Sequence, residues 1–88
     1  MQCRFREKFL KDLSKIKDQK LLKTIKECIL IVEEAESLTH IKQIKKLTNY
    51  NTAFRIRIGD YRIGIFIESN SVEFTRILHR REIYRYFP

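Results

Sequence analysis

Apolar residues recur along the chain with two different periods. From Phe9 they fall at helical spacing, Phe9, Leu10, Leu13 and Ile16, with Lys8, Lys11, Lys15 and Lys17 between them. This predicts an amphipathic helix over about 6–17, preceded by a short strand at 2–5. A second helical stripe comprises Leu21, Ile25, Cys28, Ile29, Val32 and Ala35 and ends near Ser37, with Asp18 placed as its N-cap. The short break between the stripes implies an antiparallel αα-hairpin. Residues 38–51 read as a connector in which Ile41, Ile44 and Leu47 form one helical turn or anchor a loop, with Lys42, Lys45 and Lys46 facing the other way.

The period then changes to two. In AFRIRIGDYRIGIF, residues 53–66, two alternating runs flank Gly59-Asp60, a two-residue hairpin signal. That turn pairs Ile58 with Tyr61, Arg57 with Arg62, Ile56 with Ile63, Arg55 with Gly64 and Phe54 with Ile65. Phe54, Ile56, Ile58, Tyr61, Ile63, Ile65 and Ile67 then share the core face. Arg55, Arg57, Arg62 and Phe66 occupy the other, with Gly64 as a gap. A third strand follows Ser69-Asn70. Strict alternation from Val72 and Phe74 would bury Arg76 and expose Ile77, so a bulge or twist is expected near Thr75. The expected fold is α+β: a short N-terminal strand, the αα-hairpin, and a three-stranded antiparallel meander completing one twisted sheet in a single domain, 1–88.

Charge sharpens the picture. Nineteen Lys and Arg against eleven Asp and Glu leave a net +8 on 88 residues, which suggests a polyanionic partner. Arg57 and Arg62 face each other across the hairpin, and opposed like charges destabilise a sheet. Arg55 lies diagonally near, and His79 and Arg80 leave the end of the third strand. With Phe66 and Tyr84 close by, cations and rings are interleaved as in a single-stranded nucleic-acid site. His79 and Tyr84 also suit packing roles, and Tyr86 and Phe87 suit core or partner contacts. Cys3 and Cys28, the two cysteines, have no CxxC or histidine neighbourhood, so neither a metal site nor a cofactor is expected, and free thiols fit a reducing cytoplasm. No signal peptide is evident. The longest apolar run, Cys28 to Val32, is far too short to cross a bilayer. There is no glycine-rich phosphate loop and no serine in a nucleophile setting. His40 stands alone.

The set Lys45-Lys46-Leu47, FRIRIGDYRIGIF and ILHRREIYR, in this order behind an αα-hairpin, resembles the RelE/ParE toxin superfamily, the RelE-like branch most closely. The resemblance covers nearly the whole chain. It implies a type II toxin–antitoxin system toxin that enters the ribosomal A site, cuts mRNA without a metal and is held inactive in a hetero-oligomer by a cognate, acidic antitoxin. Carried over by position, Arg62 and Arg80 match phosphate-stabilising arginines, and Tyr84 an acid/base or stacking residue. Arg55 and Arg57 match the basic pair on the second strand, and with Lys45, Lys46, Phe66 and Arg81 they are the residues expected to bind RNA. Arginine stands where lysine is common on the second strand. An arginine cannot act as the base, which moves that role to Tyr84 or His79, histidine having the better-placed ordinary pKa of about 6.5. Two alternatives share the fold: a ParE-like gyrase poison and a homologue that only binds its antitoxin.

Overall fold

A computed structural model describes residues 1–88. Its elements are β1 (Gln2–Phe5), α1 (Glu7–Ser14), α2 (Gln19–Glu34), β2 (Ile44–Lys46), β3 (Ala53–Ile58), β4 (Tyr61–Glu68), β5 (Ser71–His79) and α3 (Ile83–Tyr86), with a 3-10 turn at Leu38–His40. One mixed sheet runs β1-β5-β4-β3-β2. β1 lies parallel to β5 and the other neighbours are antiparallel. The α+β expectation holds, with one strand more than the meander predicted. β2 forms in the middle of the connector, where Ile44 pairs with Ile56 and Lys46 with Phe54.

Both helices are shorter than their apolar stripes. α1 stops at Ser14, where Lys15 and Ile16 donate to Asp12 and Leu13 in a tightened last turn. α2 starts as expected, since Asp18 Oδ1 accepts from the backbone of Lys20 at 2.9 Å and Leu21 at 3.2 Å. It ends at Glu34 rather than Ser37, because Ala35 is already extended. Phe9, Ile16, Ile25, Val32 and Ala35 are buried, but Leu10 is half exposed and lies outside the α1 stripe.

The β3–β4 register matches the expected pairs at every position, and Gly59 supplies the left-handed residue of the turn at φ 56°. Phe54, Ile56, Ile58, Ile63 and Ile65 form the core with the buried helical residues. On β5, Phe74 pairs with Ile65 but Arg76 with Gly64, so Thr75 is the extra residue of a bulge. The bulge reverses the inside–outside parity of everything after it. Ile77 becomes core, at 1% exposure.

Arg76 turns to α1. Its Nε donates to Asp12 Oδ2 at 2.7 Å and its Nη2 to Asp12 Oδ1 at 3.0 Å, while Ile77 N–H donates to Oδ2 at 3.1 Å. Beyond the reach of β1, the Asp12 carboxylate thus satisfies the free edge of β5. Its hydrogen bonds hold the Arg76 guanidinium above its ordinary pKa.

The second face of the sheet is half covered by the tail, which the sequence pattern does not reveal. Ala53, Ile83 and Phe87 form a small separate core, flanked by Leu47, Phe66 and Leu78. Phe87 is expected as a partner contact or a core residue and proves to be core, 2% exposed. Its ring seats on Gly64, where an added Cβ would lie 2.5 Å from ring carbons. Gly64 is therefore a notch, not merely a gap. Gly64→Ala is expected to push the ring out and weaken tail docking by about 1–3 kcal/mol. Native-state hydrogen exchange would show it as faster exchange of the Phe87 amide, which bonds Ile83 O at 2.8 Å, against unchanged β3 and β4 amides.

Candidate functional site

The uncovered half of the second face carries the cations. Alternation aligns Arg57 with Arg62 in one row and Lys45 with Arg55 in the next, so like charges oppose twice. Arg62 is the most constrained of these. Its Nη1 donates to Gly59 O and Tyr61 O, both at 2.9 Å. Those two bonds use one nitrogen and leave Nε and Nη2 as a free fork, the geometry that meets two phosphate oxygens. Partial burial lowers the Arg62 pKa from its ordinary value. Arg55, then Arg57 and Arg80, lower it further, and Tyr84 opposes them. Four cations and a phenol therefore converge from β3, β4 and the tail.

The Gly59–Tyr61 turn also organises Arg80, whose N–H donates to Asp60 O at 2.7 Å. Arg55 is partly spent on structure: its Nη1 donates to Gln43 O at 3.0 Å, and its Nε is buried without a partner. That carbonyl belongs to a residue at φ 61° and also accepts from Arg57 N–H. Arg55 thus fixes the connector as well as carrying charge.

Four expected site residues lie elsewhere or are otherwise employed. The bulge at Thr75 flips His79 onto the helix side, where it pairs with Tyr61 across the strands, with ring centroids 5.8 Å apart. Its Nδ1 accepts from Arg81 N–H at 3.2 Å. His79 is thus separated by the sheet from Arg62. Phe66 packs against Phe87, with centroids 5.1 Å apart, and its ring is committed to the tail. Lys46 pairs with Phe54 and so alternates away from the row that Lys45 shares with Arg55, and it borders a depression beside Tyr50 and Tyr84. Arg81 is exposed on the turn after β5. Glu82 is exposed and makes no ion pair with the neighbouring arginines.

Tyr84 is 58% exposed beside the cluster. Sequence reasoning missed Gly64 and Asp12 as the residues that seat the tail and β5. A glycine opposite an arginine within an isoleucine-rich strand was the available signal for the first. The largest depression, about 780 Å³ between Gln2, Arg4, Glu68 and Glu73, includes none of Arg55, Arg57, Arg62 or Arg80 and carries two carboxylates. No three His, Cys, Asp or Glu side chains gather as a metal site. Cys28 is pushed up to about 11 by burial. No helix is long and apolar enough to cross a membrane.

The family model for the ParE toxin of type II toxin–antitoxin systems, parDE, matches residues 3–84. The chain belongs to the RelE/ParE superfamily of toxins. This toxin is 42% identical to Toxin RelE3 of Methanocaldococcus jannaschii over the full length of both chains. Its fold superposes on the RelB–RelE antitoxin–toxin complex from Methanococcus jannaschii with a TM-score of 0.80 and 40% identity, covering 97% of this chain and 99% of that one. The RelBE2 toxin–antitoxin complex from Mycobacterium tuberculosis gives 0.71 at 26% identity, covering 90% and 96%. The archaeal RelE–RelB complex from Pyrococcus horikoshii shares the fold at 0.74 and 16% identity, covering 93% and 97%.

Proposed function

We propose that this toxin is a ribosome-dependent mRNA endonuclease neutralised by an acidic antitoxin. The observation that carries the reading is the opposition of Arg57 to Arg62 and of Lys45 to Arg55 on one sheet face, with Arg80 tied to the same hairpin turn and Tyr84 exposed. Folding gains nothing from opposed arginines, whereas a polyanionic substrate does. The antitoxin follows from the relatives solved as toxin–antitoxin complexes and from the net charge of +8, which favours and accelerates association with an acidic chain.

The chemistry that suits such a site is transesterification. The RNA 2′-oxygen forms a bond to the adjacent phosphorus, and the bond from phosphorus to the 5′-oxygen breaks. The 2′-proton goes to a base and the leaving oxygen receives one from an acid. The Arg62 fork, with Arg80 beside it, stabilises the extra charge on the phosphorane. With His79 on the far side of the sheet, proton transfer falls to Tyr84 and to groups of the ribosome. The open sheet face contacts RNA from one side. Alignment of the 2′-oxygen, phosphorus and leaving oxygen then depends on the ribosome, and positioning of this kind can lower a barrier by about 7–11 kcal/mol.

Purified toxin is therefore expected to cut the message on programmed ribosomes and to leave naked message largely intact in the same buffer, as read by primer extension. Equal cleavage of both would overturn the ribosome dependence. The ParE description of the matching family model favours one rival, a gyrase poison. Inhibition of gyrase supercoiling with no cuts on ribosomes would select it, and inactivity in both assays would leave an antitoxin-binding homologue.

A further inference from the structure

Between the β2–β3 loop and the tail lies a depression of about 380 Å³, bordered by Lys45, Leu47, Thr48, Tyr50, Tyr84 and Phe87. Both of its walls are fixed in the free protein. On one side Tyr50 N–H donates to Leu47 O at 3.3 Å, closing a turn through Asn49 at φ 68°. On the other, the seat of Phe87 on Gly64 sets the tail and with it Tyr84. Tyr50 is 49% exposed and Tyr84 58%. Each ring therefore leaves apolar area for a partner to cover, and Lys45 adds a cation at the rim.

Tyr84 belongs to two neighbourhoods. It borders this depression and lies near Arg62, while Lys45 at the same rim pairs with Arg55, in the row beside Arg57 and Arg62. A ligand that places an anion at the arginine fork thus has its next group at the depression. Planar aromatic surface, a lysine and the Thr48 hydroxyl together suit a nucleobase with its flanking phosphate, because every base has a face that stacks on an aromatic ring.

We propose that this depression is a nucleotide subsite. It seats the base next to the phosphate held at Arg62, between Tyr50 and Tyr84, with Lys45 on the adjoining phosphate. The proposal rests on the RNA-cleaving reading and adds Tyr50, a residue that neither motif nor charge singled out. Stacking of this kind needs the ring of Tyr50 and not its hydroxyl.

The test uses the whole chain, labelled with nitrogen-15, and two trinucleotide RNAs carrying 2′-O-methyl groups that block cleavage. One has all three bases and the other is abasic at the central position. The complete trinucleotide is expected to shift the amides of Thr48 to Tyr50 together with those of Arg57 and Arg62, and the abasic one only the arginine amides. Tyr50→Ala should weaken the complete trinucleotide about five- to tenfold, within what one stacked base contributes, and leave the abasic one unchanged. Tyr50→Phe should bind like the parent. Arginine amides that shift while the loop stays silent, or a Tyr50→Ala loss equal for both RNAs, would overturn the subsite and leave the RNA reading standing. Silence at both places would overturn the RNA reading together with the subsite.

Discussion

Asp12→Ala is expected to destabilise the fold by about 3–5 kcal/mol, the cost of breaking a buried ion pair by removing one partner. Asp12 is 6% exposed, and its carboxylate receives three hydrogen bonds, two from Arg76 and one from the Ile77 backbone. The substitution leaves a largely buried guanidinium and an edge N–H unpaired. The loss is large for a small domain, whose total stability is typically about 5–15 kcal/mol. Urea unfolding at neutral pH would measure it. The double replacement Asp12→Leu with Arg76→Met should lose less than Asp12→Ala alone, because it removes both charges instead of orphaning one. A single substitution costing under about 1 kcal/mol would mean that the pair does not hold α1 to the sheet.

Arg62→Ala is expected to lower cleavage on programmed ribosomes about 10²- to 10³-fold, the scale of removing one preorganised donor from a developing oxyanion. Stability should change by less than about 1 kcal/mol. The mutant loses two bonds to turn carbonyls, and it also relieves the opposition to Arg57. Arg62→Lys should stay near the alanine rate, because an ammonium is a point charge and cannot present the fork. Single-turnover primer extension paired with denaturant unfolding separates the two effects. Full activity in Arg62→Ala would remove this residue from the chemistry, and a rate that falls only in step with stability would make it structural.

The hairpin was legible because two constraints agreed. A period of two fixed the faces and Gly59-Asp60 fixed the register, so the opposition of Arg57 and Arg62 followed from the sequence. The bulge at Thr75 was legible as a conflict, since Arg76 could not take a core position that Ile77 could. Its consequence lay further along: His79 changes sides only because the parity shift persists to the end of β5. β2 has three residues at a sheet edge and two of them are lysines, too short and too polar for a periodic signal. The tail was illegible for another reason. α3 is a single turn, and its energetic anchor is a contact between Gly64 and Phe87, far apart in the chain, where the feature that matters is an absent side chain. Long-range notches of this kind leave no local pattern, whereas the arginine cluster, built from neighbouring strands, does.

The two opposed cation rows give folding and ligand binding a common currency. Arg57 faces Arg62 and Lys45 faces Arg55, and each pairing costs the empty protein roughly a few tenths of a kcal/mol up to about 1. An anion laid across the rows returns that cost, since it binds the folded sheet and has no matching array in the unfolded chain. Occupancy and stability are therefore linked. The free toxin is its own least stable form, and whatever neutralises the face, substrate or inhibitor, also props up the fold.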